Sequence, residues 1–157
     1  MDFERANEIN DYLVKIFNEV LLIEEGTLQQ SDFKDLSVTE MHTIEAISLT
    51  GDLSSTEVAR KLNITVGTLS VAIQNLVRKG YVERVRLPED RRVVRLKLTK
   101  KGKLLYRLHR RFHFNMVEAV LDDMSEEEIP ILLKGIKNLH RFLFDIKSQM
   151  NEEEKNE

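Results

Sequence analysis

The chain has 157 residues, with 24 Lys/Arg against 27 Asp/Glu, no cysteine and no tryptophan, and 41% of it is hydrophobic. That is the size of one domain, or of one domain carrying dimerisation arms. Without cysteine there are no disulfides, no thiol redox sensing and no thiolate-held metal; no apolar run nears the roughly 20 residues of a membrane span, and the charged start lacks the apolar stretch of a secretory signal, so a cytoplasmic bacterial protein is expected.

The first helix is predicted over 3–24, with Ile9, Leu13, Ile16, Phe17, Val20 and Leu21 on one apolar stripe. Gly26 to Asp35 reads as a connection. Ser37 and Glu40 have capping-box spacing and start a second helix, which carries Met41, Ile44 and Ile47 and ends near Thr50-Gly51.

Ser54 and Glu57 repeat the capping-box spacing at the start of a third helix. A fourth begins at Thr65, a good N-cap, and stops at Gly80, a good residue just past a helix end. Leu69, Ile73, Leu76 and Val77 should face the core, leaving Gly67, Thr68, Ser70, Val71 and Gln74 outward. Such a small, uncharged face on the first turns of a helix can enter a DNA major groove without clash.

Next come two alternating segments, Val82-Glu83-Arg84-Val85-Arg86 and Val94-Arg95-Leu96-Lys97-Leu98, joined by the turn-like Leu87-Pro88-Glu89-Asp90-Arg91-Arg92. They form a hairpin with one Arg-rich face expected, suited to a narrow, electronegative minor groove. Two helices and a basic hairpin make a winged helix-turn-helix. Charge supports this: residues 54–111 hold sixteen Lys/Arg and only Glu57, Glu83, Glu89 and Asp90, while the remainder holds eight basic and twenty-three acidic residues. One basic face for phosphates, with acidic flanks, is the pattern of a nucleic-acid binder.

A long helix is predicted over roughly 100–122. It has one stripe of Leu105, Leu108, Phe112, Met116 and Val120, and a second of Leu104, Val117 and Leu121. A helix apolar on two sides needs two partner surfaces. The last helix opens at Ser125, with Glu128 at capping-box distance, and its Ile129, Leu132, Ile136, Leu139, Leu143, Ile146 and Met150 alternate steps of three and four. The organisation expected is a single domain over 1–157, with a DNA-binding region at 37–99, dimerisation helices at 3–24 and 100–147, and a disordered tail at 148–157. Enzyme chemistry is not expected: there is no Gly-rich phosphate loop, no Ser or Cys nucleophile motif and no His-Glu-x-x-His.

Four segments carry a family resemblance: Leu53-Ser54-Ser55-Thr56-Glu57-Val58-Ala59, Leu76-Val77-Arg78-Lys79-Gly80-Tyr81-Val82, Asp90-Arg91-Arg92 and Leu96-Lys97-Leu98-Thr99-Lys100-Lys101-Gly102. They resemble the MarR family of bacterial transcription regulators. Within it, Glu40-Met41-His42-Thr43-Ile44, Arg107-Leu108-His109-Arg110-Arg111-Phe112-His113 and Met124-Ser125-Glu126-Glu127-Glu128 are similar to the FabT-like subgroup, repressors of fatty-acid synthesis genes. The resemblance implies a mainly α homodimer with a small β wing, bound to a palindromic operator in the nucleoid. It implies DNA contact by Ser55, Thr65, Gly67, Thr68, Ser70 and Gln74, and by the wing arginines Arg84, Arg86, Arg91, Arg92 and Arg95, with Arg91 at the tip. Asp90 would brace the wing, since a carboxylate is repelled by phosphate; Arg92 either pairs with it or joins the DNA contacts.

The same resemblance implies a long-chain acyl group on acyl carrier protein as co-repressor, and no resident cofactor. Leu13, Phe17, Leu21, Met41, Leu105, Phe112, Met116 and Val120 are candidates to line an apolar tunnel, His42, His109 and His113 to line or close it, and Arg107, Arg110 and Arg111 to meet the acidic carrier. One alternative is zinc. His109 and His113 share a helix face at i, i+4, and with His42 and Glu24 they offer four ligands, as in the similar zinc-responsive AdcR-like subgroup, although the three neighbouring arginines disfavour a cation. A small lipophilic or phenolic ligand that releases DNA is the other alternative.

Overall fold

The computed structural model of the chain describes residues 3–89 and 94–153. In order they form α1 (Phe3–Gln29), α2 (Val38–Ile47), α3 (Ser55–Leu62), α4 (Val66–Arg78), β1 (Val82–Arg86), β2 (Val94–Leu98), α5 (Lys100–Leu121) and α6 (Ile129–Glu153). The fold is mainly helical, with one two-stranded antiparallel wing. Two compact units divide inside α5, at Arg110 and Arg111.

In the first unit, the α2 and α3 starts are set by complete capping boxes, Ser37 with Glu40 and Ser54 with Glu57. Their ends are set by left-handed backbone at Ser48 (φ 62°) and Asn63 (φ 55°). So α2 stops short of the expected Thr50-Gly51. In contrast α1 runs five residues beyond the expected 24, straight through Gly26. Mid-helix glycine costs roughly 1 kcal/mol, but the extra turn carries Leu28 into the core at 3% exposure, beside Phe33 and Leu36. Burying a leucine contributes about 1.5–3 kcal/mol, which outweighs that cost.

The core holds Ile44 and Ile47 of α2, Val58 of α3, Leu69, Ile73 and Leu76 of α4, and Tyr81, Val82 and Leu96 around the wing. The wing is tied to the helices at its base. The Leu96 N–H donates to the Leu53 carbonyl at 3.0 Å, and the Thr99 hydroxyl donates to the Gly80 carbonyl at 2.7 Å. Gly80 takes φ 80°, a left-handed conformation that lets the chain leave α4 and enter β1. Gly102 sits in the first turn of α5 where an added Cβ would run into the Tyr81 backbone carbonyl.

The second unit comprises the end of α5 and α6. The Ser125 N–H and hydroxyl donate to Glu128 at 2.8 and 2.9 Å, and the helix proper begins at Ile129. It continues through Glu153, so residues 148–153 are helical rather than disordered. The reason is local: no Gly or Pro follows Gly135 to break the run, and the Ser148 hydroxyl closes onto the Phe144 carbonyl at 2.9 Å. Residues 154–157 of the expected tail lie outside the described residues. Among the residues of α6 whose burial is described, none is buried, and Ile131 and Phe142 are exposed at 70% and 60%.

Candidate nucleic-acid interface

Helix α4 is built for a two-faced role. At its start the Thr65 hydroxyl oxygen accepts from the Thr68 N–H at 3.1 Å, and the two hydroxyls lie 2.8 Å apart. Leu69, Ile73 and Leu76 are fully buried, while Gly67, Thr68, Ser70, Val71 and Gln74 face outward, as the periodicity predicts. Val77 departs from that reading. It is 37% exposed, because at 100° per residue it falls at the edge of the buried stripe. There is no acidic residue on α4, and Arg78 near its end donates to Asn75 at 3.0 Å. The outward face therefore combines small groups, hydroxyls and an amide, with cationic charge beyond it.

The wing differs from expectation in how its arginines are distributed. Cα partners Arg84↔Leu96 and Val85↔Arg95 place Arg84 and Arg86 on one face and Arg95 on the other. Side chains alternate strictly along each strand, and directly opposed residues share a face, so the described wing arginines divide between the two faces. Arg84 and Arg86 are exposed. Arg95 instead donates to Glu57 Oε2 at 3.0 Å. Glu57 thus holds wing strand and helix together, since its Oε2 also accepts from the Ser54 N–H and hydroxyl, each at 2.7 Å. The Ser54 backbone donor and then its hydroxyl outweigh desolvation and, with weaker help from Arg95 and Arg60, keep the Glu57 carboxyl below its ordinary range. Ser55, half-buried, opens α3 beside this clasp. Asp90, Arg91 and Arg92 lie outside the described residues.

Four further contacts tie the helices and the wing base together, and none was legible as a pair in the sequence. Lys79, just past α4, reaches both carboxylate oxygens of Glu40 at 2.8 and 2.7 Å. Lys61 of α3 donates to the Ala46 carbonyl near the end of α2 at 3.1 Å. The Tyr81 hydroxyl donates to Asp35 at 2.7 Å, and the Lys101 ammonium sits 4.0 Å over the Tyr81 ring. Burial tends to raise the Asp35 carboxyl, but the Tyr81 donor and the Lys101 charge together hold it below its ordinary value. Burial and the same carboxylate push the Tyr81 phenol upward.

The effector candidates separate into groups. Glu24 lies within α1 rather than at its end, 4% exposed. Its Oε1 is 2.9 Å from His109 Nε2 and its Oε2 is 3.2 Å from His42 Nε2. Glu45 approaches the other ring nitrogen of His109 at 3.6 Å, so three helices of the first unit converge there. His113 lies one helical turn past His109, in the second unit. Of the proposed tunnel, Met41 and Leu105 are buried in the first unit's core, and Leu13 is half-buried on α1. Phe17 and Leu21 are exposed at 57% and 53%. Leu21 also lines an open cavity of about 570 Å³ with Leu28, Leu36, Val38, Lys34 and Lys79. Phe112 and Met116 are half-buried and Val120 exposed in the second unit. Arg107, Arg110 and Arg111 are all exposed, and Arg110 donates to the Tyr106 hydroxyl at 2.9 Å.

A capped helix with a small polar outward face, braced by a second helix and flanked by a basic two-stranded wing, defines a winged-helix DNA-binding protein. The comparisons agree. The family model described as MarR family matches residues 34–93. FabT from Streptococcus pneumoniae, solved in complex with DNA, is 53% identical, with a TM-score of 0.81 over 90% of this chain and 99% of that one. The chain belongs to the MarR family of winged-helix regulators. The transcriptional repressor YetL of Bacillus subtilis is 33% identical over 87 residues, 55% of this chain and 52% of YetL. The B. subtilis regulator YhjH is 30% identical over 110 residues, 68% of this chain and 60% of YhjH. The chain thus spans only half to three fifths of these two curated relatives. The MepR–DNA complex of Staphylococcus aureus, at 23% identity and a TM-score of 0.64 over 85% of this chain and 97% of that one, shares the fold. These relatives are regulators of transcription, not enzymes. Among the described residues no helix is long and apolar enough to cross a membrane.

Proposed function

We propose that this chain is a cytoplasmic, nucleoid-associated repressor of fatty-acid synthesis genes, acting as a homodimer on a palindromic operator, with a long-chain acyl group on acyl carrier protein as co-repressor. The observation that carries this reading is the 53% identity to pneumococcal FabT, bound to DNA, across 99% of that chain. Homodimer formation is supported by exposed large apolar side chains on each of the two units, Phe17 and Leu21 on α1 and Ile131 and Phe142 on α6; exposed apolar patches mark interaction surfaces. α4 reads the major groove and the wing follows the neighbouring minor groove, with half-sites about one helical turn apart. The acyl chain acts by population shift. Its burial stabilises the spacing of the two α4 helices that matches successive grooves, by at most about 0.8 kcal/mol per CH2, so long chains bias the equilibrium and short ones do not. Arg107, Arg110 and Arg111 supply a cationic surface for the acidic carrier.

The test is operator binding titrated with acyl carriers of increasing chain length, with and without strong chelator. A steep rise in affinity with chain length, unchanged by chelator, supports the reading; a flat response overturns it.

A second reading, a zinc-responsive regulator, is favoured by one observation. Glu24 is flanked by two imidazoles, with its Oε2 3.2 Å from His42 Nε2 and its Oε1 2.9 Å from His109 Nε2, and Glu45 stands beside the far nitrogen of His109. This donor set suits Zn2+, with the outer carboxylate orienting the imidazole. Binding lost in chelator, restored by zinc and abolished in a His109→Ala, His113→Ala variant assigns the effector role to the metal.

A further inference from the structure

The reading face of α4 has an apolar centre. Gly67, Val71, Gln74 and Arg78 follow at spacings of four, three and four, along the line opposite the buried Leu69, Ile73 and Leu76. Val71 lies on that line, away from the core, and is 62% exposed. Its surroundings are nearly uncharged. The shallow groove beside it is walled by Ser37, Thr39, Thr68, Ala72 and Asn75. Glu40, the one ionisable residue among those walls, is held by Lys79 at 2.7 Å.

Gly67, one turn earlier, gives a second and independent sign. A Cβ there would meet only the Thr65 hydroxyl oxygen, at an ordinary 3.8 Å. Neither packing among the described residues nor backbone conformation requires a glycine, yet a glycine in a helix costs roughly 1 kcal/mol relative to alanine. What its missing side chain provides is room on the outward face, beside Val71, for a close approach from outside.

In the major groove, base edges offer hydrogen-bond donors, acceptors and one apolar group, the 5-methyl of thymine. An isopropyl group set against the donors and acceptors would strip their water and return no hydrogen bond. Against the thymine methyl it buries apolar surface at no polar cost. We propose that Val71 is a specificity-determining residue that reads the 5-methyl group of a thymine in each half-site, while Gln74 supplies the adjacent hydrogen-bonded contact. This rests on the proposed role of α4 as the DNA-reading helix.

The experiment uses the full chain and the duplex it selects from a random pool. Thymines of that duplex are replaced one at a time by deoxyuridine, which removes only the methyl group. Wild type should lose about fourfold in affinity at one position of a half-site, and about fifteenfold when both symmetry-related positions are replaced, the worth of one buried carbon each. Val71→Ala should bind thymine and uracil duplexes alike, whereas Gln74→Ala should keep the difference. Alanine is the better helix former, and circular dichroism checks that the variant is folded. Indifference of wild type to every deoxyuridine, or a Val71→Ala variant as sensitive as wild type, overturns the assignment of Val71. Failure to enrich any duplex overturns the DNA-reading role of α4 itself, and is distinguishable because no thymine comparison is then needed.

Discussion

Glu24 and His109 are 85 positions apart in sequence and 2.9 Å apart in the folded chain, both almost completely buried. Glu24 also meets His42 of α2, so one carboxylate links three helices of the first unit. Replacing it by leucine leaves the ring nitrogen of buried His109 without this partner. A buried polar group deprived of its hydrogen bond costs about 1–3 kcal/mol. Glu24→Leu should therefore lower the urea midpoint by that equivalent, with Glu24→Gln, which keeps an acceptor, losing less. Equal stability of the leucine variant and wild type would remove the carboxylate from this role.

Gly102→Ala tests the junction between wing and long helix. The added methyl group would collide with the Tyr81 backbone carbonyl, which accepts from the Thr99 N–H at 3.0 Å and cannot rotate away. Overpacking against rigid backbone costs about 1–3 kcal/mol or more. Thermal unfolding should show a marked drop, and weaker DNA binding should accompany it because the wing base moves. The same substitution at Gly26, where nothing lies within 4 Å, should be neutral or stabilising.

Acid should undo the clasp between wing and α3. The folded values of Glu57 and Asp35 are depressed below their ordinary 4.5 and 3.8. The stability they contribute is fully present above those ordinary values and is lost as pH falls through the depressed folded ones. Urea midpoints measured from about pH 6 down to about pH 3 should decline in wild type, and decline less steeply in Glu57→Gln. Parallel curves for the two proteins would show that Glu57 takes no part.

Gln74→Ala and Arg84→Ala should fail in different ways. Gln74 is on the outward face of α4 and can read a base edge, so its loss should relax discrimination at one or two base pairs, each worth about 1–3 kcal/mol. Arg84 is an exposed cation on the wing, so its loss should weaken binding to all sequences and flatten the salt dependence by about one charge. Ser54→Ala, which removes the cap of α3, should instead lower stability by about 1 kcal/mol. Mobility shifts across salt concentrations and single-base operator variants separate the first two.

The order of elements was written in the sequence because each signal is local. Ser37, Ser54 and Thr65 cap helices through atoms three residues away, and Leu69, Ile73 and Leu76 reach the core through the period of their own helix. The outward face of α4 follows from the same period. What the tertiary structure decided is every relationship between elements. Sequence showed Glu57 as a helix cap but not as the partner of Arg95, and it expected one Arg-rich face without the register that sets Arg84 and Arg86 on one side and Arg95 on the other. It ended α1 near Glu24, because the burial that carries the helix past Gly26 to Leu28 comes from residues of other elements. Gly102 stood in a recognisable motif, but the reason for glycine there is the Tyr81 carbonyl, brought against α5 only by the turn of the wing. Period and capping act within a few residues of one chain segment and so are readable from order alone. Partners across elements depend on distances that exist only after the core has packed.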